Sequence, residues 1–177
     1  MPLKHLVSFL SNQFSVLLIT ISLCVPSYAQ APERTPYSAP DNWTVTTYRA
    51  SGTKAFLRCS AERHYGDGLT LTIAKNVAGK FVLGFTSSDW KYEDRSTPTV
   101  SIQIDAGESV SLPGRVRLLP TGPIVFVDIE ENSSIVTSMS LGSALHVRTA
   151  ETSLEFSLAG AEAAVSGVNQ CQSDGTE

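Results

Sequence analysis

The sequence predicts an all-β fold, an antiparallel β-sandwich or barrel of about nine strands with a short C-terminal helix. Apolar and polar residues alternate along most of the chain, a pattern typical of half-buried strands. Turn signals such as Gly52 and Pro113-Gly114 separate the alternating runs by roughly 8 to 12 residues, which favours a sandwich or barrel over strand-helix-strand units. Near the C terminus the apolar period lengthens to that of a helix.

The first 29 residues have the organisation of a secretory signal peptide. Lys4 and His5 precede an apolar run from Phe14 to Val25, and the segment ends at Ala29 with small residues where signal peptidase reads. The run is shorter than the roughly 20 residues of a membrane helix. We therefore expect a periplasmic or secreted protein with no transmembrane segment in the mature chain.

Cleavage after Ala29 leaves 148 residues (177 − 29), which is enough for one domain. Three prolines and little apolar content in residues 30–41 predict a disordered leader. We expect the single β domain to occupy residues 42–172, with a polar tail over residues 173–177.

Nine alternating segments account for the predicted strands. In chain order they are WTVTTY (43–48), AFLRCSA (55–61), LTLTIA (69–74), FVLGF (81–85), VSIQI (100–104), VRLL (116–119), IVFVDI (124–129), LHV (145–147) and LEFSL (154–158). The segment IVFVDI is apolar on both faces, and we therefore expect it to be a central strand.

Two short helices are predicted in addition, one around residues 133–141 and one over residues 161–168. In the second, Ala161, Val165 and Val168 share one face at helical spacing. A helix of two turns is not stable alone in water. It must therefore pack against the sheet.

Two cysteines remain after the signal peptide is removed, Cys59 and Cys171. Two thiols in an exported protein favour one disulfide. The competing interpretation is a metal pair, but no Cys or His lies close enough in sequence to complete the usual ligand spacing. We therefore expect a Cys59–Cys171 disulfide that fastens the C-terminal helix.

Composition and motif content point away from several function classes. The formal net charge is −4 at pH 7, whereas a nucleic-acid-binding domain usually carries a basic face. His64 and His146 are too far apart in sequence for a typical zinc ligand pair. No nucleophile-elbow or phosphate-loop motif occurs. We expect no nucleic-acid partner, no metal, no cofactor and no catalytic residue.

One polar segment, SSDWKYEDR at residues 87–95, offers a candidate partner-binding loop. Its aromatic residues Trp90 and Tyr92 could anchor a protein or sugar partner, because they bury a large area at small entropic cost. The alternative is that both residues extend the preceding strand and pack under a turn. Aromatic residues at strand ends are common, and we favour this alternative.

Four segments of the chain resemble the invasion-associated locus B family of Gram-negative bacteria. They are the opening Trp strand, VSIQIDAG (100–107), SLGSALHVRT (140–149) and FSLAGAEAAVSGVNQC (156–171). Unlike the usual family pattern, residues 115–134 contain no cysteine. The resemblance implies an exported, β-rich, non-enzymatic interaction protein that contacts envelope or host proteins. A second hypothesis is an inhibitor or immunity protein that blocks an exported hydrolase.

Overall fold

The structure is a computed structural model that describes residues 31–130 and 133–176. The predicted signal peptide, residues 1–29, lies outside the described residues. The described part contains ten strands and two α-helices: β1 (Glu33–Ser38), β2 (Thr44–Arg49), β3 (Phe56–His64), β4 (Thr70–Asn76), β5 (Phe81–Thr86), β6 (Thr99–Ile104), β7 (Val110–Leu119), β8 (Gly122–Ile129), α1 (Ser134–Leu141), β9 (Ala144–Arg148), β10 (Ser153–Ser157) and α2 (Ala161–Thr176).

The strands form one antiparallel sheet in the order β1-β2-β3-β4-β5-β8-β7-β6-β9-β10. Among the described strands β1 and β10 each have one neighbour, so the sheet is open and is not closed into a barrel. The all-β prediction is confirmed, with a sandwich-like arrangement. Strand β8 lies between β5 and β7, which confirms the central position predicted for IVFVDI.

Strand β7 joins the two layers of the sandwich. Its residues 110–113 pair with β6, and residues 114–119 pair with β8. At the changeover a Cβ atom on Gly114 would come within 3.0 Å of the Pro98 carbonyl oxygen and of the Val125 side chain. Only glycine fits there. The turn predicted at Pro113-Gly114 was therefore wrong, because these residues lie inside one continuous strand.

The core lies between the two layers. Apolar side chains from both layers belong to one buried cluster. They are Val100, Ile102, Leu145, Val147 and Phe156 from one layer, and Leu71, Ile73, Leu83, Phe85, Val125 and Val127 from the other. The rings of Phe85 and Phe156 meet across the layers with centroids 5.9 Å apart. These residues lie at alternate positions of their strands, as the period-two pattern predicts.

Tyr65, just after β3, closes one end of this core. Its ring meets Phe156 edge to face with centroids 5.3 Å apart. Its hydroxyl donates a hydrogen bond to the Ser157 carbonyl oxygen at 2.6 Å. Burial raises the pKa of Tyr65 above its ordinary value of 10.0, and the neighbouring Arg63 charge lowers it by less.

Helix α2 covers the inner side of β2, β3 and β4. It is 16 residues long and ends at Thr176, so the prediction that it stops at Val168 was wrong. The buried stripe continues at steps of three and four through Val168, Cys171 and Gln172. The predicted polar tail is correspondingly helical up to Thr176.

The shorter helix confirms its prediction closely. Helix α1 follows Ser133, whose hydroxyl oxygen accepts a hydrogen bond from the Ile135 backbone N–H at 3.2 Å. This bond satisfies one of the free N–H groups of the first turn. Ile135 and Met139 are buried, so the helix docks along one face.

The disordered leader predicted for residues 30–41 is contradicted by β1, which pairs with β2 from Glu33 to Ser38. Every residue of β1 is exposed. Its order therefore comes from backbone pairing at the sheet edge, which leaves no apolar alternation in the sequence. Pro36 is compatible with an edge strand, where a missing N–H donor need not interrupt a ladder.

The turn after β6 is fixed by Asp105, which has a φ of 49°. Its carboxylate accepts hydrogen bonds from the backbone N–H groups of Ser143, at 3.1 and 3.2 Å, and Ala144, at 2.9 Å. This side chain therefore connects the β6 turn to the start of β9.

Neither helix is long and apolar enough to span a membrane, within the part of the chain that the structure describes.

Candidate functional site on the outer face of the sheet

Three neighbouring strands place Arg34, Tyr48 and Arg58 in one row on the face of the sheet opposite to the core. Arg34 of β1 pairs with Tyr48 of β2, which in turn pairs with Arg58 of β3. The guanidinium carbons of Arg58 and Arg34 lie 4.2 and 5.4 Å from the centroid of the Tyr48 ring. At these distances a cation is attracted to an aromatic face. One tyrosine ring therefore positions two arginines.

Glu62, on the same face of β3, fixes the orientation of this tyrosine. The Tyr48 hydroxyl donates a hydrogen bond to Oε1 of Glu62 at 3.0 Å, and the Ser60 hydroxyl donates to the same oxygen at 3.2 Å. Tyr48 and Ser60 are only 3% and 1% exposed, although they lie on the outer face. The outer face is therefore recessed at this point.

Apolar side chains lie on the same face further along the sheet. Phe126 of β8 is in register with Gly84 of β5, which is in register with Thr72 of β4. A Cβ atom on Gly84 would lie 3.2 Å from side-chain atoms of both Thr72 and Ile124, and 3.4 Å from Phe126. The absent side chain at Gly84 therefore leaves the space that these three neighbours fill.

Together these residues enclose a cleft of about 810 Å³, called here the outer-face cleft. Arg34, Tyr48 and Arg58 line one end, and Ile124 and Phe126 line the other. Its volume falls within the range of about 300 to 1,000 Å³ that small-ligand and peptide-anchor sites occupy.

The outer-face cleft is positively charged within an acidic protein. Its lining contains Arg34, Arg58 and Arg115 with Glu62 as the acidic residue, a formal charge of 3 − 1 = +2, while the chain carries −4. Arg115 is engaged by the Asp128 carboxylate at 2.7 and 2.9 Å. Arg34 and Arg58 form no ion pair with any carboxylate of the described residues. Two oriented guanidinium groups therefore remain available to an anion.

The candidate partner-binding residues of the sequence lie elsewhere, after β5. Trp90 is 4% exposed, and Tyr92 is half-buried against the core cluster. The two rings meet edge to face with centroids 5.6 Å apart. Trp90 Nε1 and the Tyr92 hydroxyl are buried without a hydrogen-bond partner among the described residues. Neither residue extends β5, which ends at Thr86, so that part of the alternative was wrong. The packing that it predicts is present, and little of Trp90 is left for a partner to contact.

The two cysteines are brought together by the docking of α2 on β3. Cys59 and Cys171 form a disulfide with their Cα atoms 6.1 Å apart, as the cysteine count predicts. Both residues are buried, at 0% and 1% exposure. The Cys171 sulfur also lies 3.2 Å from the Thr47 hydroxyl. Neither cysteine is available as a nucleophile or a metal ligand.

The two histidines in the described part of the chain do not form a common site. His64 Nδ1 lies 2.9 Å from the Thr70 hydroxyl, and His146 Nδ1 lies 3.5 Å from the Glu155 carboxylate. Over residues 31–130 and 133–176, no group of three or more His, Cys, Asp or Glu side chains could hold a metal ion.

Sequence reasoning missed the outer-face cleft because its residues come from separate strands, and Arg34 lies in the segment predicted to be disordered. One local signal was present. Ile124 and Phe126 are apolar residues on the face of β8 that points away from the core.

Comparisons with protein-family models, with curated proteins and with solved structures find no match to this chain.

Proposed function

We propose that the chain is an exported, non-enzymatic interaction protein that binds a segment of an envelope or host protein in the outer-face cleft. The observation that carries this proposal is that one cleft contains both a cationic end and an apolar end. Arg34 and Arg58 are oriented on Tyr48 and have no ion-pair partner among the described residues. Ile124 and Phe126 form the apolar surface. Interfaces commonly combine an arginine anchor with aromatic and apolar contacts in this way.

Three further observations support the proposal. Buried disulfides are expected in oxidising compartments, which agrees with periplasmic or secreted localisation. The resemblance to the invasion-associated family points to the same setting. The carboxylate that lines the cleft, Glu62, already accepts hydrogen bonds from Tyr48 and Ser60. It is therefore committed to holding the tyrosine, and glycoside hydrolysis would need a second carboxyl group beside it.

Site-specific photo-crosslinking tests the proposal. A benzophenone amino acid is placed at Phe126, inside the cleft, and in a matched control at Leu141, which is 79% exposed on α1. In cells that naturally produce the protein, we expect a discrete adduct from position 126 and none from position 141. The adduct is identified by mass spectrometry, and the partner is purified for titration.

The titration uses the Ala74→Trp variant, because Ala74 lines the cleft and a large side chain there fills it. We expect the purified partner to bind the wild-type protein and to bind this variant at least tenfold more weakly, with thermal unfolding confirming that the variant is folded. Equal affinity for both proteins would contradict the proposal. An exported hydrolase as the crosslinked partner would support the inhibitor hypothesis instead.

A further inference from the structure

We infer that the outer-face cleft recognises an acidic, partly apolar peptide segment, with its carboxylate on Arg34 and Arg58 and an apolar side chain against Ile124 and Phe126. This inference rests on the proposed function and adds the chemistry of the bound segment.

The charge of the cleft selects an anion. Asp128 neutralises Arg115, so Arg34, Arg58 and Glu62 leave the cleft with a formal charge of 2 − 1 = +1, while the whole chain carries −4. The guanidinium groups of Arg34 and Arg58 can each donate two parallel hydrogen bonds to a carboxylate. Their stacking on Tyr48 orders them in advance, which lowers the entropic cost of binding.

The same cleft disfavours a polyanion. Glu62 lies on the same face of β3 as Arg58, and its carboxylate is fixed by Tyr48 and Ser60. A ligand with several phosphates would place its additional charges near this carboxylate, where like charges repel. A single carboxylate satisfies the two arginines without that repulsion.

The size of the cleft sets the length of the segment. Arg58 lies on β3 and Phe126 lies on β8, with β4 and β5 between them, so three strand intervals, roughly 14 Å at about 4.8 Å each, separate them across the sheet. Phe126 is in register with Glu62 through Gly84 and Thr72, and Glu62 is four residues from Arg58, which adds about 13 Å along the strands at 3.3 Å per residue. The direct distance is therefore roughly 20 Å, which an extended peptide crosses in about six residues. Recognition therefore requires an acidic residue and an apolar residue about five to seven positions apart.

Selection from a displayed library of random 12-residue peptides tests this inference. The library is selected on the mature protein and counter-selected on the Ala74→Trp variant. We expect enrichment of Asp or Glu followed or preceded, at about five to seven positions, by Leu, Ile, Phe, Val or Met. Enriched peptides without an acidic residue would overturn the inference, as would a selection that enriches nothing.

An enriched peptide is then synthesised together with a twin in which the acid is replaced by its amide. We expect the twin to bind at least tenfold more weakly, and Arg58→Gln to weaken the acidic peptide by a similar factor while leaving the twin unchanged. Arg148→Gln is the matched control, because it removes the same charge from an exposed position on β9. Equal binding of the acid and amide peptides would overturn the inference.

Two further results are informative. If palmitate competes with the peptide at equal or higher affinity, the carboxylate preference belongs to a lipid, and the inference is wrong. If a partner crosslinks at position 126 but its bound segment contains no acidic residue, the inference fails while the proposed function stands. Failure of the proposed function is detected separately, by the absence of that crosslink.

Discussion

Removal of the Cys59–Cys171 disulfide should destabilise the fold strongly without unfolding it. The bond closes a loop with a sequence separation of 112 residues. In the chain-entropy model this length corresponds to about 4.8 kcal/mol, and measured losses for native disulfides are about 2 to 5 kcal/mol. With a urea m-value of about 2 kcal/mol/M, the unfolding midpoint of Cys59→Ala/Cys171→Ala should fall by roughly 1 to 2.5 M.

The variant should still fold, because α2 retains its other contacts. Ala161, Ala164, Val165 and Val168 remain buried against the sheet. Far-UV circular dichroism in the absence of urea should therefore match the wild-type spectrum, and α2 amides should stay protected from hydrogen exchange up to the global unfolding free energy.

Wild-type protein reduced with dithiothreitol is the matched control, since it loses the bond but keeps both sulfur atoms in the core. The reduced protein should lie close to the double variant, with a difference of about 1 kcal/mol for the lost sulfur packing. A double variant whose midpoint falls by less than about 0.5 M would refute the reasoning, because loop closure would then contribute little to stability.

Tyr65→Phe should change the pH dependence of stability, because burial raises the pKa of Tyr65 in the folded state. The protonated hydroxyl therefore contributes fully to the free energy of unfolding below pH 10, and this contribution is lost as the pH rises through the folded-state pKa. Urea unfolding at pH 8 and pH 11 should show a larger loss for the wild type than for the variant. Asp105→Ala should cost about 1 to 3 kcal/mol, measured by urea unfolding, because two backbone N–H groups lose their acceptor. Tyr92→Phe should be neutral or stabilising by up to about 1 kcal/mol in thermal unfolding, because its buried hydroxyl has no partner among the described residues. Gly84→Ala should weaken peptide binding and cost about 1 to 3 kcal/mol by overpacking, whereas Gly66→Ala, with open space around it, should leave peptide affinity unchanged.

The elements that the sequence predicted are those whose stability comes from a buried apolar face. Leu71 and Ile73 of β4 alternate with threonines because one face of the strand meets the core. Helix α1 also has a buried apolar face, since Ile135 and Met139 lie four residues apart and both are buried. In these elements the local pattern and the tertiary contact coincide.

The elements that were missed depend on contacts that leave no local pattern. Strand β1 is ordered by backbone pairing and by side-chain contacts such as that of Arg34 with Tyr48, while its side chains are all exposed and show no apolar alternation. The second half of α2 buries the polar Gln172 beside Cys171, so an apolar period was absent after Val168. Gly114 carries a turn signal, but tertiary packing uses it to bend a continuous strand between two layers.

The outer-face cleft contains residues of both kinds, those with a local sequence pattern and those placed only by tertiary contacts. For this reason only its apolar end could be recognised in the sequence. Its cationic end requires the register of three strands, which sets Arg34 and Arg58 beside Tyr48 and cannot be read from any one segment. Its apolar end is visible within β8, because Phe126 is apolar on a face that the core does not need. An apolar outer face on a central strand has two explanations, a second packing layer or a ligand. Among the described residues α2 contacts β2, β3 and β4, and α1 contacts α2 and β6, whereas Ile124 and Phe126 line the outer-face cleft, an arrangement that the proposed binding of a peptide segment requires.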